Sequence, residues 1–117
     1  MTKTILVTGC AGFIGNHLCR YLLQKKEAQI IGVDNLLTGS KENIADLLEN
    51  KNFKFIEGDI VDPILSKKIK EKIDQIYNLA CPASPIHYQM NALKTIQTNT
   101  IGIINLLELA KENNARI

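Results

Sequence analysis

The chain has 117 residues, 45% of them hydrophobic and 22% charged, with a net charge of +2. This is the make-up of one ordinary globular domain with a moderate core, and so small a charge argues against a dedicated nucleic-acid surface. No apolar run approaches the roughly 18 residues of a membrane span, and Cys10, Cys19 and Cys81, odd in number and without C-x-x-C spacing, argue against a disulfide framework or a metal site.

The elements follow in order. Met1-Thr2-Lys3 leads straight into an apolar, β-branched run, Ile5-Leu6-Val7, which ends at Thr8. No signal peptide is expected from such a start, and with these cysteines the expected location is cytoplasmic. Glycines stand at Gly9, Gly12 and Gly15, and a helical pattern then begins. Each glycine has a reason in a strand–turn–helix. The chain must turn sharply at Gly9, a Cβ at Gly12 would stand where a pyrophosphate approaches, and a side chain at Gly15 would push the helix away. The helix start would aim its unpaired N–H groups and positive dipole end at an anion over the loop. The spacing, G-x-x-G-x-x-G, is one residue longer between the first two glycines than the G-x-G-x-x-G fingerprint. Cys10 within the loop reads as a small filler.

Phe13, Ile14, Leu18, Tyr21, Leu22 and Leu23 recur at helical spacing and predict the first helix, which ends in the polar stretch Gln24 to Glu27. His17, alone in the first turn, reads as structural. A second strand is predicted over Gln29 to Val33, ending in Asp34, nineteen residues after Gly15. An acid at that distance suits the adenosine ribose hydroxyls, against the blander reading of a loop acid or helix cap. No Arg or Lys lies between Asp34 and Thr38 to offset a 2′-phosphate, so NAD is expected over NADP. Asn35 to Gly39 reads as a loop, and Ser40 as the cap of a short helix through Ile44, Leu47 and Leu48.

Phe53 to Glu57 predicts the third strand, closed by Gly58-Asp59-Ile60. Asp59 could accept from an adenine amino group with Ile60 against the ring; a turn Asp beside a core Ile fits as well. Pro63 to Lys72 predicts a helix with Pro near its first turn, and Ile73 to Ala80 a fourth strand. Cys81-Pro82-Ala83-Ser84-Pro85 suits neither helix nor central strand. One long helix then runs from Ile86 or Asn91 to Asn113, with Leu93, Ile96, Ile103, Ile104, Leu107 and Ala110 on one face. Ile101 and Leu109 fall off it, which points to a second buried side. The alternation of strands and helices calls for a Rossmann-type α/β parallel sheet with helices on both faces. The predicted strand order is 3-2-1-4, with the ligand crevice at the carboxyl ends of the strands.

TGCAGFIGNHL, DNLLTG, GDIVDP and TNTIGIINLLELAK resemble the amino-terminal half of the extended short-chain dehydrogenase/reductase family, which holds the nucleotide-sugar epimerases, dehydratases and decarboxylases. DQIYNLACPASPIHYQ and NALKTIQTN narrow the resemblance to its UDP-glucuronate decarboxylase subfamily. It covers essentially the whole chain. The resemblance implies that Gly9, Gly12, Phe13, Ile14 and Gly15 contact the NAD pyrophosphate, and that Asp34 holds the ribose beside Asn35, Thr38 and Gly39. By the same resemblance Asp59 and Ile60 flank adenine, and Leu79, Ala80 and Pro82 lie along the nicotinamide ribose. Asn99 supports the site from the long helix, and Ser84 and Tyr88 face a UDP-sugar. The implied reaction is a lyase reaction: oxidation at the sugar C4, decarboxylation and re-reduction.

The family's catalytic Tyr-x-x-x-Lys pair, which follows the fifth strand, has no counterpart, and no catalytic residue is assigned. Tyr21 and Lys25 match the spacing but lie on the first helix, away from the crevice. The chain reaches Ala115-Arg116-Ile117 where the fifth strand should begin. The expectation is therefore a fragment, residues 1–117, that holds the amino-terminal part of an NAD(P)-binding Rossmann domain, is inactive alone and lacks the catalytic segment and substrate domain. A homo-oligomer is expected, with no nucleic-acid or membrane partner. Alternatives are a piece of a dTDP-glucose 4,6-dehydratase or UDP-glucose 4-epimerase, or a short protein that binds a nucleotide or a partner without turnover.

Overall fold

The computed structural model describes residues 2–82 and 85–117, the side chains of Pro85, His87 and Tyr88 excepted. Four parallel strands form one sheet in the order β3-β2-β1-β4: β1 Lys3–Thr8, β2 Ala28–Asp34, β3 Phe53–Glu57 and β4 Gln75–Asn78. This is the predicted order. The register places Ile5 beside Ile30, Thr8 beside Val33 and Asn78, and Asp34 beside Glu57, so all four strands end along one edge.

The two-residue period of the strands divides the core. Ile5, Val7 and Ile30 point to one face, where they meet Cys10, Cys19 and Phe53. Leu6, Ile31, Val33 and Ile76 point to the other and meet Leu106, Leu109 and Ala110. The first face is covered by α1 (Phe13–Gln24) and by two 3-10 turns, Lys41–Ile44 and Leu47–Glu49. The Ser40 hydroxyl accepts from the Glu42 N–H at 3.3 Å, as its predicted capping role requires, although the element it opens is a 3-10 turn. In α1 the buried residues are Gly15, Asn16 and Cys19, with Leu18, Leu22 and Leu23 packed half-buried beside them. Phe13, Ile14 and Tyr21, predicted on the apolar face, are exposed.

Three predictions need correction on the opposite face. The helix expected over Pro63 to Lys72 is one turn, α2 (Leu65–Lys68). Beyond it Ile69 turns extended at φ −98, ψ 104, and Ile69 and Ile73 are buried in the core from non-helical backbone. The long helix is divided into α3 (Pro85–Met90), α4 (Ala92–Gln97), a π turn (Thr98–Gly102) and α5 (Ile103–Asn113), with a break at Asn91 where φ is −117 and ψ 45. Its predicted inner stripe holds only in part. Ala110 is buried as expected and Ile103 half-buried, but Leu93, Ile96, Ile104 and Leu107 are exposed; Leu106, with Leu109 from the expected second side, packs into the core instead. Gly102 packs on Ile60. A Cβ on Gly102 would lie 2.6 Å from the Ile60 side chain, so a larger residue would hold the helix off. At the outer edge of β4, Arg116 pairs with Gln75: its carbonyl accepts from the Ile76 N–H at 2.7 Å, and its N–H donates to Asp74 at 3.1 Å.

Candidate functional site

The turn between β1 and α1 forms the floor of a crevice over the strand ends. Gly9 has φ +71, and a Cβ there would lie 2.5 Å from the Leu79 carbonyl oxygen. At Gly15 a Cβ would lie 2.0 Å from the Gly9 carbonyl oxygen, so this glycine lets the first helical turn close onto the loop. Gly12 differs. A Cβ there would meet only the Gly9 carbonyl oxygen, at 3.4 Å, so the chain itself leaves room for a side chain. The bare backbone at Gly12 faces the crevice instead. Gly12 is also the N-cap of α1; no side chain caps the helix and its first turn holds no acid. A helix start left in that state, with its dipole end and first-turn N–H groups uncapped by any side chain, has the chemistry to receive an anion.

The carboxylate of Asp34, at the end of β2, ties this loop to the next. It is 8% exposed and accepts from the Ala11 N–H at 2.9 Å and from the Leu36 N–H at 2.8 Å. The second bond holds Leu36 in the left-handed region at φ 61. A carboxylate has about four lone-pair sites, so two remain for further donors. Ala11 is itself clamped: its carbonyl accepts from Ser40 N–H at 3.1 Å and Asn43 Nδ2 at 2.8 Å. Gly39 packs so close to it that a Cβ would lie 2.9 Å from the Ala11 carbonyl. Arg20 then links α1 to this region through Asp46 and through the Asn43 carbonyl at 2.7 Å.

Asp59, just past β3, takes three donors. Its Oδ1 accepts from Val61 N–H at 3.0 Å, and its Oδ2 accepts from Asn35 Nδ2 at 3.3 Å and from the Lys94 ammonium of α4. Burial pushes the Asp59 carboxyl up, but the Lys94 ammonium, the Val61 N–H and the Asn35 amide outweigh it and hold the group below its ordinary value. The far wall comes from the segment after β4. Thr8 Oγ1 donates to Asn78 Oδ1 at 2.7 Å and accepts from the Leu79 N–H at 3.1 Å, which fixes how that segment leaves the sheet.

Gly9, Gly12, Asp34, Asn35, Thr38, Gly39, Asp59, Ile60, Leu79, Ala80 and Pro82, all singled out in the sequence, line this one crevice. It encloses about 570 Å³, open solvent included. Phe13, Ile14 and Gly15, expected at the same crevice, do not line it: the side chains of Phe13 and Ile14 are exposed and Gly15 is buried against the loop. Asn99 does not line it; its amide donates to the Thr95 carbonyl at 2.9 Å and to Cys81 Sγ at 3.2 Å. Its neighbour Thr98, 6% exposed and at the start of the π turn, lines the crevice instead. Thr98 carried no sequence signal, because a regular helix and a π turn aim neighbouring residues differently. Val33, Leu37 and Gly58 are further lining residues that sequence reasoning missed, and Cys81 lines it between Ala80 and Pro82. Ser84 lies outside the described residues, as does the side chain of Tyr88. Tyr21 and Lys25 stack on the outside of α1, with Nζ 4.9 Å from the ring centroid, away from the crevice. Cys10 and Cys19 are buried, and burial pushes the Cys19 thiol up to about 12. Among the described residues no group of His, Cys, Asp and Glu could hold a metal, and no helix is long and apolar enough to cross a membrane.

A glycine turn after the first strand, with the strand order reversing beside it, makes this a Rossmann-type α/β unit. The comparisons with known proteins are narrower. The sequence model of the family described as GDP-mannose 4,6 dehydratase matches residues 6–117, and the chain belongs to that family of NAD-dependent epimerases and dehydratases. UDP-glucuronic acid decarboxylase 2 of Arabidopsis thaliana is 49% identical over 112 residues, 96% of this chain and 24% of that protein. The structure of dTDP-glucose 4,6-dehydratase from Bacillus anthracis in complex with NAD superposes with a TM-score of 0.83 at 30% identity, covering 98% of this chain and 36% of that one. UDP-glucose 4-epimerase from Thermotoga maritima, with UDP-glucose, gives a TM-score of 0.81 at 33% identity over 96% of this chain and 35% of its own. The chain spans about a quarter to a third of the length of the curated relatives it matches.

Proposed function

We propose that the chain is the NAD-binding portion of a nucleotide-sugar modifying enzyme of the UDP-glucuronate decarboxylase type. The observation that carries this is the convergence on one crevice of an uncapped helix start, a glycine with unclaimed Cβ space and the Asp34 carboxylate. These residues fit a dinucleotide. The α1 N-terminus receives the pyrophosphate, Asp34 accepts the ribose hydroxyls, and Asp59 with Ile60 borders the adenine. Leu79, Ala80 and Pro82 flank the nicotinamide ribose, with Thr98 beside them, while Ser84 and Tyr88 are the residues assigned to the UDP-sugar. Asp34 with no cation between it and Thr38 favours NAD over NADP. Bound NAD supplies the hydride acceptor and donor for oxidation and re-reduction at the sugar C4. This chain's share is to grip the cofactor and to wall its reactive end with small and apolar residues that exclude water.

The Tyr and Lys that would handle the C4 proton belong in this reading to sequence beyond these 117 residues, as does the substrate domain, so the chain alone turns over nothing. The 49% identity to decarboxylases, against 30–36% among the epimerases and dehydratases of known structure, favours decarboxylation over the other two reactions. The exposed stripe of Leu93, Ile96, Ile104 and Leu107 supports a homo-oligomer, since an apolar helix face of that length marks an interface. The free thiols suit a reducing cytoplasm.

Calorimetric titration of the chain with NAD⁺ and NADP⁺ tests the cofactor reading. NAD⁺ is expected to bind and NADP⁺ to bind at least about tenfold more weakly, a difference of roughly 1.4 kcal/mol. Equal affinities, or none for either, would overturn it. Sedimentation at tens of micromolar tests association, and a monomer there counts against the interface.

A further inference from the structure

Lys94 stands outside the crevice, on a helix whose own residues are not buried. Leu93 and Ile96 on either side of it point to solvent. Apolar packing therefore does not explain where α4 lies against the sheet end. An ion pair reaches from α4 to the crevice rim, Lys94 with Asp59, whose two side chains are 31% and 25% exposed.

We infer that Lys94 is a positioning residue for recognition of the base. Its ammonium orients the Asp59 carboxylate so that this wall accepts an amino group and rejects a carbonyl at the edge of a purine. The inference rests on the dinucleotide reading above and deepens it. Donors from three elements converge on Asp59: Val61 N–H on Oδ1, Asn35 Nδ2 and Lys94 Nζ on Oδ2. Of its about four lone-pair sites one remains, and Asp59 faces the crevice. An ionised carboxylate only accepts. The exocyclic amino group of adenine donates, whereas hypoxanthine carries a carbonyl at that position and would set oxygen against oxygen. Without Lys94 the carboxylate keeps its charge but loses the donor that holds it across the rim from α4. The preference for the amino group then falls. Lys94 makes no contact with the base in this account and acts through Asp59.

The test compares NAD⁺ with nicotinamide hypoxanthine dinucleotide on the full chain, by dissociation constants at pH 7. The wild-type chain is expected to prefer NAD⁺ by about tenfold to a hundredfold, the range for one hydrogen bond to a charged acceptor. In Lys94→Met the ratio should fall below about threefold, and Lys94→Arg should restore most of it, since both cations donate to a carboxylate. A partly unfolded sample lowers both affinities and leaves the ratio intact. Should Lys94→Met bind neither dinucleotide, Asp59→Asn decides in its place: an amide that turns to offer either group should bring the ratio near one with Lys94 intact, and an unchanged ratio there overturns the inference. An undiminished ratio in Lys94→Met overturns it outright. Wild-type chain that binds both dinucleotides equally overturns it while the dinucleotide reading stands; wild-type chain that binds neither overturns both.

Discussion

Of the three glycines of the turn, two are required by the chain and the third, in the proposed reading, by a ligand, and alanine substitution separates them. In Gly15→Ala the new Cβ lies 2.0 Å from a backbone oxygen with no flexible side chain to yield, so the helix start must move. Overpacking of that kind costs about 3 kcal/mol or more. At about 2.1 cal/mol/K per residue, 117 residues unfold with an entropy near 0.25 kcal/mol/K, so the melting temperature should fall by about 12 °C. Gly9→Ala meets a Leu79 oxygen at 2.5 Å with a positive φ as well and should be as severe. In Gly12→Ala the nearest atom is 3.4 Å away and φ is −79, which alanine adopts freely. Its cost is that of alanine for glycine at an N-cap, within about 1 kcal/mol, or roughly 4 °C. NAD⁺ affinity, however, should fall by about tenfold or more as the methyl group meets the pyrophosphate. Thermal melts and titrations of the three variants decide the matter. Gly12→Ala with unchanged affinity would refute the assignment of the loop to phosphate, and Gly15→Ala with an unchanged melt would refute the packing argument.

Three other outcomes are expected. Asp34→Ala strands the Ala11 and Leu36 N–H groups and should cost about 2–3 kcal/mol in denaturant unfolding, with Asp34→Asn milder because one oxygen still accepts. Asp59 has a lowered pKa in the folded chain, so its contribution is complete above the ordinary value of 3.8 and is lost as pH falls through the lower folded value. The melting advantage of wild type over Lys94→Met should therefore be constant near neutrality and close below pH 3.8; a gap that persists in acid would argue against the ion pair. Native-state labelling with a maleimide should reach Cys81 at the crevice within minutes, slowed by NAD⁺, and reach Cys10 and Cys19 only on unfolding, since burial keeps both protonated. Mass spectrometry of the labelled peptides checks all three.

Much of this protein is legible along the chain because its signals are local. Four strands separated by helical or loop segments dictate a parallel sheet, since parallel neighbours need crossovers, and the handedness of crossovers leaves few strand orders. The glycine turn and an acid nineteen residues beyond it marked two walls of the crevice before any coordinates, and Asp59 and Ile60 a third. The helical details were less legible. Periodicity locates an apolar stripe but does not say which of two stripes meets the sheet. Gly102 and Ala110 let α5 approach, so the larger stripe of Leu93, Ile96, Ile104 and Leu107 was left outside.

By itself, then, the sequence determined the strand order, the turn over β1 and the acids at the strand ends, because each depends on residues a few positions apart or on a general rule of chain handedness. Only the tertiary structure decided that the chain leaves room for a Cβ at Gly12, that Thr98 rather than Asn99 lines the crevice, and that Lys94 reaches Asp59. Those depend on how closely two elements approach and how a helix is wound between them. Contacts between residues 59 and 94 or 9 and 79 are set by packing in three dimensions, which no local pattern records.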